Sequence, residues 1–296
     1  MAEITAAAVK ALRERTGAGM MDCKGALKEA DGDVARAIEV LRERGLAKAI
    51  KRSGRETSEG AVAIVIHSGS GAIVELGCET DFVAKTPDFQ SLAASLAEAA
   101  AADVAIDSAE ALLAAELDGS KVSERVAAAV SKMGENIVLK RVARLAAPSG
   151  GVAGGYVHAG GKLGVLVSLA TTATGDRVSA LARDIAMHVA AADPSPVSVD
   201  RDGVPEDLVA KERELFRRQA EADGKPEKVI EKIVEGRVRK FYSEICLVEQ
   251  SFVKDPDQTV GKLIEAAASA VGAEVSVNAF ERFKLGEAAA DGGESA

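Results

Sequence analysis

Cys78-Glu79-Thr80-Asp81-Phe82-Val83-Ala84-Lys85-Thr86-Pro87 is the stretch on which the fold turns. An apolar, strand-like segment ends at Cys78, and Pro87 can open a long Ala/Leu helix, because its missing N–H has no partner at a first helical position anyway. Thr80 can cap a single helical turn through Lys85, and Thr86 can cap the next helix. Asp81 and Phe82 stand side by side at this corner in a chain with only 3% aromatic residues. A phenylalanine is ordinarily core. Here, adjacent Phe82 and Val83 diverge by roughly 100° on a helical turn and cannot share one buried face. Asp81 suits the start of a helix, where a carboxylate complements the dipole. So short a turn cannot stand alone.

Working outward, Ala61 to His67 and Ala72 to Leu76 read as strands about the turn Ser68-Gly69-Ser70-Gly71. Phe89, Leu92, Ala93 and Leu96 give the following helix a buried face. Val122, Val126, Val130 and Met133 stripe a later helix that ends at Gly134, and Glu135 to Val142 reads as a strand. The pattern then returns: Tyr156-Val157-His158, the turn Ala159-Gly160-Gly161-Lys162, a strand from Leu163 to Ala170, and a helix with Val178, Leu181, Ala182, Ile185 and Val189 inward. Each copy has a His just before its Gly-rich turn. The expectation is an α+β fold with two similar subdomains at 55–145 and 146–286, each an antiparallel hairpin or sheet plus helices. The second copy has no counterpart of Asp81-Phe82, so the repeat does not demand that pair.

Residues 1–54 read as three short helices and a linker. Thr5 caps the first, Met20, Cys23, Ala26, Leu27 and Ala30 stripe the second, and the third starts near Asp33 and stops at Gly45. Met21 points away from that stripe, either as an adaptable protein contact or as a tolerated surface Met. Lys48 to Arg55 reads as linker. Residues 205–245 form a charged helical pair about Asp223-Gly224-Lys225-Pro226, with Leu208, Leu215 and Phe216 facing Ile230, Ile233, Val234 and Phe241. Such a hairpin either projects as a self-association surface or folds back on its own domain. A last strand runs near Val275 to Phe283, and 287–296 reads as a disordered tail.

Composition narrows the function. A net charge of -9 argues against binding a nucleic-acid backbone. No apolar run reaches the roughly 18 residues of a membrane helix, and no signal peptide is apparent. Cys23, Cys78 and Cys246 are too scattered for a disulfide framework or a metal site, so a cytoplasmic location is expected. His67, His158 and His188 show no ligand spacing, and neither nucleophile elbow nor phosphate loop occurs. Neither metal nor cofactor nor bond chemistry is expected. His188 reads as a core residue, and His158, on an exposed hairpin tip, as a contact.

Several stretches together carry a resemblance: Glu3-Ile4-Thr5, Leu12 through Thr16-Gly17-Ala18-Gly19-Met20-Met21-Asp22-Cys23-Lys24, Cys78 through Val83, Gly134-Glu135-Asn136-Ile137, Ile185-Ala186-Met187-His188-Val189 and Phe252-Val253-Lys254-Asp255-Pro256. In this order, over nearly the whole chain, they resemble the bacterial elongation factor Ts family. The resemblance implies a ubiquitin-associated-like module at 1–54, a dimerisation hairpin near 198–245, and guanine nucleotide exchange on elongation factor Tu. It implies that Thr80, Asp81, Phe82 and Val83 displace Mg²⁺ in that partner, with Phe82 wedged between helices of the GTPase domain. Met20, Met21, Met133, Gly134 and His158 match further contact positions. The competing reading is a holding or adaptor protein that binds a GTPase or another partner through its helical module without driving exchange.

Overall fold

The computed structural model describes residues 4–148 and 150–287. Short-range capping sets its first helices. The Thr5 hydroxyl accepts the Ala8 N–H at 3.2 Å and starts α1 (Ala6–Thr16), which ends where Gly17 takes a left-handed φ of 67°. After α2 (Met20–Glu29), the Asp33 carboxylate accepts the Arg36 N–H at 3.0 Å and starts α3 (Val34–Arg52). Leu12, Cys23, Leu27 and Ala37 close the small core of these three helices.

Gly45 does not end α3, contrary to the reading from sequence, and the stretch from Lys48 read as linker continues the helix to Arg52. A glycine within a helix costs about 1 kcal/mol against Ala. Tertiary packing offsets that cost: Gly45 is buried against a second helix, where a Cβ would make only an ordinary contact, 3.7 Å from the Ala127 carbonyl oxygen.

That second helix belongs to the next run of chain. β1 (Glu59–His67) and β2 (Ser70–Cys78) form a hairpin around Ser68-Gly69. Then come α4 (Asp81–Ala84), α5 (Pro87–Ala102), α6 (Ala109–Ala114), a ribbon of β3 (Glu116–Leu117) and β4 (Ser120–Lys121), α7 (Val122–Met133), and β5 (Ile137–Ala146). The antiparallel sheet has the order β1-β2-β5. Phe89, Leu96, Leu112 and Val130 bury its helix-covered face against Val74, Leu76 and Leu139.

The chain continues through β6 (Val152–Val157), β7 (Leu163–Thr171), α8 (Asp176–Ala191), α9 (Glu206–Ala222), α10 (Glu227–Ile245), a ribbon of β8 (Ser251–Phe252) and β9 (Asp255–Thr259), α11 (Val260–Val271) and β10 (Val275–Lys284). The second antiparallel sheet has the order β10-β7-β6, and α8 and α11 bury one of its faces through Val178, Ile185, Val260 and Ile264. Its other face meets the first sheet through Val62, Ile73, Leu166 and Phe283. A Cβ at Gly164 would lie 2.5 Å from Val62 Cγ1, so only glycine lets the sheets approach this closely there. The fold is α+β, with two sheets back to back and helices outside both.

In the α9–α10 hairpin, Phe216, Ala220, Ile230, Ile233 and Val234 form the seam, while Leu208 and Phe241 pack at its base beside Ile245 and Cys246. Leu215, placed in the seam from sequence, is exposed: Phe216 occupies that face, and its neighbour is turned about 100° away. Residues 288–296 of the expected tail lie outside the described residues.

Candidate functional site

The corner after β2 is built from caps. The Thr80 hydroxyl accepts the Val83 N–H at 3.4 Å and starts α4. The Thr86 hydroxyl donates to the Val83 carbonyl at 2.8 Å and accepts the Phe89 N–H at 3.3 Å, joining that turn to α5. Ala84 is buried and Val83 half-buried against the core, so the turn has one face to spare, and Phe82 occupies it with 82% of its surface exposed. A phenol-free aromatic so exposed contributes almost nothing to folding. The Asp81 carboxylate pairs with Lys85 Nζ at 2.6 Å. This bond holds its pKa below the usual range, aided by the positive charge of Lys162.

Two carboxylates fasten the corner to the turn before β5. Glu135 Oε2 accepts the backbone N–H groups of Glu79 at 3.1 Å and Thr80 at 3.0 Å, and its Oε1 accepts the Thr80 hydroxyl proton at 2.6 Å. In return, Glu79 Oε1 accepts the Asn136 N–H at 2.7 Å, the main reason the Glu79 carboxyl titrates below its ordinary range. Asn136 Nδ2 donates to the Arg55 carbonyl at 2.8 Å, and Arg55 approaches Glu79 Oε2 at 3.3 Å. Gly134, at φ 81°, ends α7 and lets the chain turn so that Glu135 faces the corner. Glu135 and Asn136, read from sequence as the start of a strand, precede β5 and serve as side-chain clamps. The signal for them is the pairing of Cys78 with Ile137, which places Glu79 and Glu135 at adjoining strand ends. That register is a property of the folded sheet.

The structure gathers several of the predicted contact residues here. Met20 shares one cleft wall with Val83, Thr86, Lys132 and Met133, beside Gly17 and Gly19. The placement of Met20 on the buried stripe is corrected: it is 54% exposed, and Met21 is 76% exposed. Met20 is the first residue of α2, and its side chain extends past the N-terminal end of the Cys23, Ala26 and Leu27 stripe. Met133 packs partly against the core at the end of α7. His158 stands apart on the β6–β7 turn, exposed, with Nδ1 2.9 Å from the Tyr156 hydroxyl. The Val62 N–H donates to the Gly161 carbonyl at 2.7 Å and Lys162 pairs with Glu59 at 2.6 Å, so this turn rests against the start of β1.

The remaining candidates for chemistry are occupied elsewhere. His188 is buried: its Nδ1 accepts the Val253 N–H at 3.2 Å, so Nε2 carries the proton and donates to Gln250 Oε1 at 2.9 Å. Cys23, Cys78 and Cys246 are buried, and burial pushes the thiols of Cys78 and Cys246 up to about 11. Among the described residues no group of three or more His, Cys, Asp or Glu is arranged to hold a metal ion. None of their helices is long and apolar enough to cross a membrane. The fastened corner thus presents Asp81 and Phe82, and Met20 and Met133 line the cleft beside it at Val83 and Thr86.

The family described as Elongation factor TS matches residues 79–287 of this chain. Elongation factor Ts of Maricaulis maris is 47% identical over 99% of this chain and 96% of its own length. The elongation factor Ts of Clostridium botulinum strain Eklund 17B is 45% identical, over 96% of this chain and 93% of its own length. That of Nautilia profundicola is 44% identical over 97% and 94%.

Proposed function

Since this chain belongs to the elongation factor Ts family, we propose that it acts in translation elongation as a guanine nucleotide exchange factor for elongation factor Tu. On this reading it binds the GDP complex of that partner, disturbs the Mg²⁺ and phosphate site, and promotes GDP release without breaking a bond. The observation that carries it is Phe82, 82% exposed on a turn whose backbone is fastened on both sides. An exposed aromatic with an ordered backbone can enter a partner's groove with little loss of conformational freedom.

The energetics ask for more than Phe82. Fully burying one Phe contributes about 1.5–3 kcal/mol, whereas a thousandfold faster release needs about 4 kcal/mol. Thr80, Asp81 and Val83 act with Phe82 at the Mg²⁺ site, and Met20, Met21, Met133, Gly134 and His158 supply the remaining contacts. Mg²⁺ bridges nucleotide phosphates to a GTPase, so disturbing it removes a large electrostatic term. The factor and the nucleotide then weaken each other's binding by the same ratio, because coupling is reciprocal.

Residues 1–54 are the ubiquitin-associated-like module in this scheme, 55–145 and 146–286 the two core subdomains, and the hairpin near 198–245 the route to a homodimer in the cytoplasm. The test is stopped-flow release of labelled GDP from elongation factor Tu. Exchange predicts acceleration that grows with factor concentration, whereas tight binding with no acceleration would mark a holding protein instead.

A further inference from the structure

The single turn α4 (Asp81–Ala84) is too short to persist through its own hydrogen bonding. It carries the aromatic on which the proposed exchange depends, so something outside the turn must hold it. The Thr80 hydroxyl has one proton and two lone pairs. Its proton goes to Glu135 Oε1 at 2.6 Å, leaving a lone pair for the Val83 N–H at 3.4 Å. The other oxygen of the same carboxylate takes the N–H groups of Glu79 and Thr80. One side chain thereby fixes both the orientation of the cap and the backbone leading into it.

Glu135 follows directly on Met133-Gly134, so the same carboxylate ties that contact segment to the Phe82 turn. Glu79 and Asn136 lock the joint from the opposite side, and Arg55 extends it toward the C-terminus of α3. We propose that Glu135 is a positioning residue for exchange: it meets no partner group itself but presets the turn that presents Phe82. This rests on the exchange reading and adds to it a residue whose contribution passes through Phe82.

A double-mutant cycle in labelled-GDP release, with factor at saturating concentration, tests this. Glu135→Ala is expected to slow release roughly tenfold, as the loss of charge-assisted hydrogen bonds implies. Glu135→Gln keeps an acceptor in place and restores most of the rate. In a Phe82→Ala background the Glu135→Ala change costs less than about twofold, because the two act in series. A Glu135→Ala rate within twofold of the wild type overturns the proposal, and so does a tenfold loss that persists without Phe82. A wild-type chain that gives no acceleration overturns the exchange reading itself. Hydrogen exchange on the wild-type chain then judges the preset corner separately: Thr80 and Val83 amides are expected to be protected at least roughly tenfold over an unstructured chain. Absence of that protection overturns the positioning role even if the Glu135→Ala protein fails to fold.

Discussion

Glu75 of β2 and Arg141 of β5 lie directly opposite each other and form an ion pair that solvent barely reaches: Arg141 Nε donates to Glu75 Oε2 at 2.7 Å, and the Glu75 side chain is 2% exposed. The same guanidinium covers the Phe283 ring at 4.3 Å and donates to the Lys284 carbonyl at 3.0 Å, so the pair bridges the two sheets. Removing one partner of a buried pair leaves an uncompensated charge and costs about 3–5 kcal/mol. Glu75→Ala is therefore expected to shift the urea midpoint strongly downward. The double replacement Glu75→Leu/Arg141→Met removes both members of the pair and leaves Lys140 on its bond to the Thr57 carbonyl, so it is expected to be milder than Glu75→Ala.

His188 makes stability depend on pH. Burial lowers its pKa, and the hydrogen bond from the Val253 N–H needs the neutral ring. In the unfolded chain a histidine takes up a proton near pH 6.5, while the folded chain still refuses it. The unfolded state thus binds more protons between the two values, and stability is full above about 6.5 and falls as pH drops toward the folded value. Urea unfolding at pH 7.5 and pH 5 is expected to show a smaller acid loss for His188→Gln than for the wild type, with each pH unit in that window worth up to about 1.4 kcal/mol.

Gly45 divides small from large substitutions. A Cβ would sit 3.7 Å from the Ala127 carbonyl oxygen, an ordinary contact, so Gly45→Ala is expected to gain about 0.5–1 kcal/mol of helix stability. Gly45→Leu overfills the crossing of α3 and α7 and is expected to cost about 1–3 kcal/mol. Thermal unfolding separates the two, and trypsin cleavage near Arg52 should rise for Gly45→Leu.

The three cysteines are expected to resist alkylation. They are buried, and at pH 8 a thiol pushed up to about 11 supplies almost no thiolate at Cys78 or Cys246. Intact-mass measurement after brief iodoacetamide treatment should show the unmodified native chain, and three additions in urea.

Local chemistry made much of this legible from residue types. Thr5, Thr80, Thr86 and Asp33 cap helices through bonds of three-residue span, and the divergence of Phe82 from Val83 follows from helix geometry. What stayed hidden depends on partners distant in sequence. Gly45 looked like a stop because nothing nearby reveals that α7 will pack on it. Met20 fitted the buried spacing but sits where the small core ends. Glu135 and Asn136 looked like strand residues because their roles depend on groups more than fifty residues away.

Phe82 offers the most direct test of whether the corner drives exchange. With 82% of its surface exposed, its removal should leave folding stability within about 0.5 kcal/mol of wild type. Stopped-flow release of labelled GDP from elongation factor Tu should then be compared for the wild type and Asp81→Ala/Phe82→Ala at saturating factor. A corner that acts on the Mg²⁺ site predicts release slowed by roughly tenfold or more in the folded variant. An unchanged release rate would contradict it.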